Sequence, residues 1–124
     1  DISLVFNLRM YKYIYIILGE KIMLHITKNE MRSDADRNAF GLAALAVCKM
    51  AKNTNGVNDA KFFWINPNLI GIIVDAEAGA WGADVEPSAD AMKAFFDLAD
   101  LSNQVSNEIW MSAGIGEERF NIAQ

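Results

Sequence analysis

The amino-acid sequence predicts one α+β domain, in which two helices lie on the same face of a four-stranded antiparallel sheet. Segments with strand-like alternation and segments with helical periodicity follow one another in the order strand, helix, strand, strand, helix, strand. The chain has 124 residues, which is the length of a single ordinary domain. The two middle strands are apolar on both faces, and helices on one face would leave the other uncovered. We therefore expect a further layer over the second face.

The composition is that of an acidic globular protein. Hydrophobic residues make up 52% of the chain and charged residues 22%, which excludes a disordered polar chain. There are 11 Lys and Arg residues against 16 Asp and Glu residues, so the formal net charge is −5. This charge repels a phosphate backbone, and no nucleic-acid partner is expected.

The chain contains one cysteine, Cys48, and one histidine, His25. A single cysteine excludes an internal disulfide, and no Cys and His residues have the spacing of a zinc site. We therefore expect no metal, a reduced cytoplasmic setting, and a buried, unreactive thiol at Cys48.

Residues 1–21 are treated as an apolar arm that precedes the domain at 22–124. The apolar run at 11–18 is far shorter than the ~20 residues that cross a bilayer, so no membrane span is expected. Residues 19–21 (Gly-Glu-Lys) make a poor signal-peptidase site. The β-branched and aromatic content predicts a strand-like arm, and an upstream extension of the reading frame is the alternative.

The first half of the domain predicts a strand and then a long helix. Residues 22–29 alternate as a strand, so His25 and Thr27 share a face. Ser33 is expected to open a helix that runs to about Asn53, with Asp36 completing an acidic capping box. One side of this helix is apolar and rich in alanine; it carries Phe40, Ala43, Ala44, Val47, Met50 and Ala51.

Two β-rich runs at 61–65 and 69–76 are separated by Asn-Pro-Asn at 66–68, which predicts a hairpin. Each run places apolar side chains on both faces. Phe62 and Trp64 alternate with Phe63 and Ile65 in the first run. In the second run Ile70, Ile72 and Val74 alternate with Leu69 and Ile73.

The last third predicts a loop, a helix and a strand. A Gly- and Ala-rich loop at 77–87 carries Trp81, and Ser88 caps a helix that reaches about Leu101. The predicted inner side of this helix consists of Met92, Phe95, Phe96 and Ala99. Residues 102–103 (Ser-Asn) interrupt the helical pattern, and a shorter helical turn with Val105, Ile109 and Trp110 is expected next. A glycine turn at 114–116 and a last strand at 117–123 follow.

This order of elements is the split β-α-β arrangement of the ferredoxin-like fold. A second copy of the same sheet is the simplest layer to cover the apolar second face, which predicts a homodimer through that face. Leaving its Phe, Trp and Ile side chains in water would cost roughly 1.5–3 kcal/mol each. The alternative is that the amino-terminal arm, instead of a second copy, covers this face.

The topology and the two-sided hairpin resemble the dimeric α+β barrel superfamily over about residues 22–124. That group includes antibiotic-biosynthesis monooxygenase-like domains, stress-responsive barrel proteins and small uncharacterised dimeric ferredoxin-like proteins. The resemblance implies a cofactor-independent oxygenase, isomerase or decarboxylase, a haem-degrading enzyme, or a protein of unknown role. We expect no cofactor, and no set of catalytic residues carries over from the family.

His25 is the candidate catalytic residue, because an unperturbed imidazole is the side chain that titrates near neutral pH. At mid-strand it would act as a base or orient a carbonyl group. The alternative is a hydrogen-bonded histidine on the sheet surface or in the dimer interface.

Five aromatic side chains are candidates for ligand binding between the sheet and the helices: Trp64, Trp81, Trp110, Phe95 and Phe96. Opposite an alanine-rich helix they would either line an apolar pocket or interlock without a void. A pocket would suit a fatty-acid-like or polycyclic aromatic molecule. The sequence thus predicts a dimeric binding protein or a cofactor-independent enzyme for an apolar or aromatic ligand. A non-enzymatic carrier of a fatty-acid-like ligand, or a purely structural or interaction protein, is the alternative.

Overall fold

A computed structural model describes residues 22–83 and 85–112 of the chain. The elements are β1 (Ile22–Met31), α1 (Arg37–Lys52), β2 (Val57–Asn66), β3 (Leu69–Glu77), α2 (Ala89–Leu101) and β4 (Ser102–Met111). Neighbouring strands pair antiparallel in the order β2-β3-β1-β4. The predicted ferredoxin-like α+β architecture is confirmed. The arm at 1–21, the glycine turn at 114–116 and the predicted strand at 117–123 lie outside the described residues.

The core lies between the two helices and one face of the sheet, here called the first face, which carries His25, Ile72 and Val74. Phe40, Ala44 and Val47 of α1 belong to the same buried cluster as the β3 side chains. Alanine is frequent in this cluster, and its small side chain lets the backbones of α1 and α2 approach closely. Neither described helix is long and apolar enough to cross a lipid bilayer.

The amino-terminal cap of α1 is Asp36 rather than the predicted Ser33. The Asp36 carboxylate accepts a hydrogen bond from the Ala39 backbone N–H at 2.9 Å, and Arg37 is the first helical residue. Both Ser33 and Asp36 are good capping residues. The hydrogen-bonded turn from Arg32 to Ala35 uses the intervening residues, which moves the start of the helix three residues along the chain.

Helix α2 begins after Ser88, as predicted, and the Ser88 hydroxyl accepts from the Ala91 N–H at 3.1 Å. The predicted inner side of α2 is wrong. Ala91, Ala94 and Leu98 are its buried residues, whereas Met92, Phe95, Phe96 and Ala99 are exposed. More than half of the residues of α2 are apolar, so periodicity alone does not determine which side of the helix faces the sheet. Close packing of small side chains against the alanines of α1 decides it.

The fourth strand is Ser102–Met111, where the sequence predicted an interruption and a helical turn. The spacing of Val105, Ile109 and Trp110 fits one side of a helix, which led to that prediction. In the structure the segment pairs with β1 along its whole length. Tertiary pairing with a central strand overrides the local helical spacing.

The register of the strands gives the sheet a second face that carries no described helix. On this face Phe63 lies opposite Gly71, Ile26 opposite Ile73, and Leu24 opposite Trp110. Phe63 is 50% exposed and Trp110 is 54% exposed. The predicted two-sided apolar character of the hairpin is therefore confirmed, and the second face presents large apolar side chains to solvent.

Cys48 is a buried free thiol within the core of α1. Burial raises its pKa, which disfavours the thiolate. This agrees with the predicted buried, unreactive cysteine.

Candidate functional site

A cavity of about 80 Å³ lies between the first face of the sheet and the two helices. Its floor is polar along β1 and β4, and its walls are apolar. The residues that line it are His25, Thr27, Asn29, Val47, Ile72, Val74, Trp81, Phe95, Leu98 and Gln104. Strand alternation explains the floor, because residues 25, 27 and 29 point to the same side of β1.

His25 lies near the middle of the sheet, paired with Val74 on one side and Ile109 on the other. Its side chain is only 7% exposed. The Nε2 atom is buried and has no hydrogen-bond partner among the described residues. A buried polar atom without a partner costs about 1–3 kcal/mol, so this nitrogen is a position that a ligand group would stabilise.

The charge state of His25 follows from the same burial. Desolvation lowers its pKa, because the low-dielectric surroundings disfavour the imidazolium. The imidazole is therefore neutral at pH 7 and available to accept a proton.

The loop after β3 places Trp81 over the cavity. Gly56, at φ +86°, allows the loop to pack closely, since a Cβ there would lie 2.5 Å from Ala80 Cβ. The Glu77 backbone N–H also donates to the Gly56 carbonyl at 2.8 Å. Trp81 then packs on Phe95 of α2, with ring centroids 5.8 Å apart and planes tilted by 59°. The loop is thus anchored at one end and its indole forms a wall of the cavity.

Gly82 lies directly against the catalytic candidate. A Cβ at this position would lie 3.1 Å from Cε1 and 3.6 Å from Nδ1 of His25, and its φ is +124°. Both the contact and the backbone conformation favour glycine here. The loop backbone consequently covers one edge of the imidazole.

The polar floor continues along the strands beyond His25. Asn29 of β1 is buried and pairs with Gln104 of β4. The β1–β4 register shifts next to this pair, between Lys28 and Asn29. Such an irregularity redirects side chains locally, and here both Asn29 and Gln104 line the cavity. Two amides and the Thr27 hydroxyl can therefore orient a polar group of a ligand.

The structure brings together three of the six predicted site residues: His25, Trp81 and Phe95 line the cavity. Trp64 packs edge-on against Phe40, with centroids 5.7 Å apart, so it supports α1 instead. Trp110 lies on the second face of the sheet. Phe96 is 61% exposed on the outer side of α2.

Sequence reasoning missed two polar lining residues, Asn29 and Gln104. The alternation that places His25 and Thr27 on one face extends to Asn29, the last residue of the predicted strand, which was not assigned to that face. Gln104 was missed because β4 was read as an interruption and a helical turn. Among the described residues, no group of three or more His, Cys, Asp or Glu side chains could hold a metal ion.

The buried imidazole predicts an acid-dependent loss of stability. Because the pKa of His25 is lower in the folded protein, the unfolded chain binds the proton first, and protonation favours unfolding. The free energy of unfolding should be highest above the ordinary histidine pKa near 6.5 and fall as the pH drops toward the lower folded value. Urea unfolding at pH 7.5, 6.5 and 5.5 would measure this fall, and His25→Gln should remove it. If the free energy of unfolding depended on pH equally in wild type and His25→Gln, His25 would not be a buried neutral imidazole.

Comparison with known proteins shows the fold. A single-residue variant of SnoaB, a cofactor-independent oxygenase from Streptomyces nogalater, superposes with a TM-score of 0.63 at 9% identity, covering 77% of this chain and 97% of that one. A protein from Nitrosomonas europaea, provisionally assigned as an antibiotic biosynthesis monooxygenase, gives a TM-score of 0.59 at 12% identity, covering 77% and 92%. A conserved protein of unknown function from Bacteroides thetaiotaomicron gives 0.59 at 15% identity, covering 74% and 97%.

These likenesses confirm the resemblance to antibiotic-biosynthesis monooxygenase-like proteins at the level of the fold. No family model and no curated protein matches the sequence.

Proposed function

We propose that this chain is a homodimeric small-molecule-binding protein whose cavity is the active site of a cofactor-independent oxygenase, with His25 as the general base. The observation that carries the proposal is the buried, unpartnered Nε2 atom of a neutral imidazole at a cavity with apolar walls. Perturbed titratable groups in clefts are frequent at functional sites. The likeness to SnoaB, described as a cofactor-independent oxygenase, supports the reaction type by analogy of fold.

The proposed reaction oxidises a methylene carbon activated by a neighbouring ring or carbonyl group. His25 takes one proton from the carbon, and the resulting carbanion gives its electrons to O₂ to form a carbon–oxygen bond. Loss of the second proton and cleavage of the oxygen–oxygen bond leave a carbonyl group and release water. The substrate supplies all four electrons, so CH₂ and O₂ become C=O and H₂O without an external reductant.

The cavity walls support this chemistry. Val47, Phe95 and Leu98 surround the base with apolar side chains, which keep its pKa low and exclude water. Asn29 and Gln104 offer amide N–H donors for the enolate oxygen that develops when a proton leaves a carbon beside a carbonyl group.

The proposed assembly is a dimer in which the second faces of two sheets pack together. Phe63, Ile65 and Trp110 are about half exposed on this face, and large exposed apolar patches mark interaction sites. A second copy supplies the same apolar surface around a two-fold axis. The cavity lies on the opposite face of each sheet, so each protomer keeps its own site.

The test of the reaction uses phenylacetone and benzoylacetone, two single-ring compounds with an activated methylene, and an oxygen electrode. Wild-type protein should consume O₂ with at least one of them, and His25→Gln should lower the rate by at least about 100-fold. Circular dichroism and light scattering of the variant should match the wild type. An unchanged rate would remove the catalytic role of His25. Binding without oxygen uptake in the wild type would instead favour the carrier alternative.

A further inference from the structure

The cavity is smaller than the ligands that the sequence suggested. A cavity of about 150 Å³ is known to hold benzene, whereas this one has about 80 Å³. A single ring can therefore be enclosed only in part, with its remainder at the mouth of the cavity. A fused polycyclic molecule or a long acyl chain has no room beside His25.

The loop after β3 limits the space through Trp81 and Gly82. Trp81 packs on Phe95, and both side chains line the cavity, so this aromatic pair limits how far a fused ring system can extend on that side. Gly82 brings the loop backbone against the imidazole, where even one added carbon would lie 3.1 Å from Cε1. Trp81 thus forms part of the cavity wall, and the adjacent Gly82 lies against the imidazole that lines the same cavity.

From this geometry we infer that Trp81 and Gly82 determine specificity: the site accepts a ligand of one ring and excludes fused-ring molecules. The inference rests on the proposed small-molecule site and adds the size of the ligand that this site accepts. A ligand ring lies with its polar group toward the imidazole and the amides of the floor. Trp81 covers the opposite side of the ring, and Gly82 leaves the imidazole edge free of any side chain.

The first experiment measures binding of phenol and naphthol by calorimetry, together with the imidazole C–H signals in proton NMR. His25 is the only histidine in the chain, so its signals need no assignment by mutation. Wild-type protein should bind phenol at least about tenfold more tightly than naphthol, and phenol should shift the His25 signals. In Trp81→Ala, the ratio of phenol affinity to naphthol affinity should fall at least about tenfold. Trp81→Phe should give an intermediate affinity ratio. It keeps a ring at this position and therefore serves as the second variant if Trp81→Ala does not fold.

The second experiment compares two loop glycines. Gly79 and Gly82 both have positive φ, at +83° and +124°, but a Cβ at Gly79 would meet nothing within 4 Å. Both alanine variants carry backbone strain, and only Gly82→Ala places a carbon against His25. Gly82→Ala should abolish the phenol-induced shift of the His25 signals, whereas Gly79→Ala should retain it.

The outcomes separate this inference from the function on which it rests. Equal affinity for phenol and naphthol in wild type and Trp81→Ala would overturn the size limit and leave the binding site intact. Equal loss of the phenol shift in Gly79→Ala and Gly82→Ala would overturn the role of Gly82. Failure of wild type and Trp81→Ala to bind either probe would overturn the small-molecule site itself.

Discussion

Phe40→Ala is expected to lower the free energy of unfolding by about 3–5 kcal/mol, which is the range for removing a buried aromatic side chain. Phe40 is fully buried, and its ring contacts the edge of Trp64 at 5.7 Å between centroids. It therefore joins α1 to β2 within the buried cluster. Urea unfolding followed by circular dichroism measures the change, and the m-value should stay the same.

Leu42→Ala is the matched control, two residues further along the same helix. Leu42 is 65% exposed, and alanine is the better helix former, so the expected change is within about 0.5 kcal/mol. If Phe40→Ala cost no more than Leu42→Ala, the described packing of α1 on the sheet would be wrong.

Phe63→Asp is expected to convert the proposed dimer to a monomer. In a dimer through the second face, the carboxylate would be buried without a partner, which costs several kcal/mol per ion. In the monomer the same side chain points to water, so the fold itself should survive. Light scattering at micromolar concentration measures the mass, and near-ultraviolet circular dichroism reports whether the core is retained.

Two controls distinguish the second face from other interfaces. Leu42→Asp places the same charge on the exposed side of α1 and should leave the mass unchanged. A change of mass in Leu42→Asp would favour the alternative of an interaction protein, with the exposed Leu42 of α1 in its interface. If the wild-type protein is a monomer and deletion of residues 1–21 makes it associate, the arm covers the second face. The proposed dimer would then be wrong.

Several elements were predictable because their signals are local. The Ser88 cap, the Asn-Pro-Asn turn of the hairpin, and the apolar stripe of α1 each depend on residues close together in the chain. Observed bounds differ mainly in strand length: β2 begins four residues before the predicted Lys61. Strand ends extend as far as partners allow, and those partners lie elsewhere in the sequence.

The candidate site was only partly predictable. His25 stood out because it is the only histidine, and Trp81 because it is isolated in a loop of small residues. Asn29 and Gln104 carry no local mark of function, and they meet only because β1 and β4 pair. Phe95 and Phe96 are adjacent on α2, yet only Phe95 lines the cavity. The rotation of the helix, set by packing against α1, selects between them.

The sequence by itself determined the order of the first five elements, the Ser88 cap of α2 and the presence of apolar side chains on both faces of the hairpin. These properties follow from backbone periodicity and local hydrogen bonding, which act over a few residues. Only the tertiary structure decided that Ser102–Met111 is a strand, which side of α2 is buried, and that Gly82 lies against His25 while Trp81 lines the same cavity. Each of these depends on packing between segments far apart in the chain, where the gain from close contact outweighs a weak local preference.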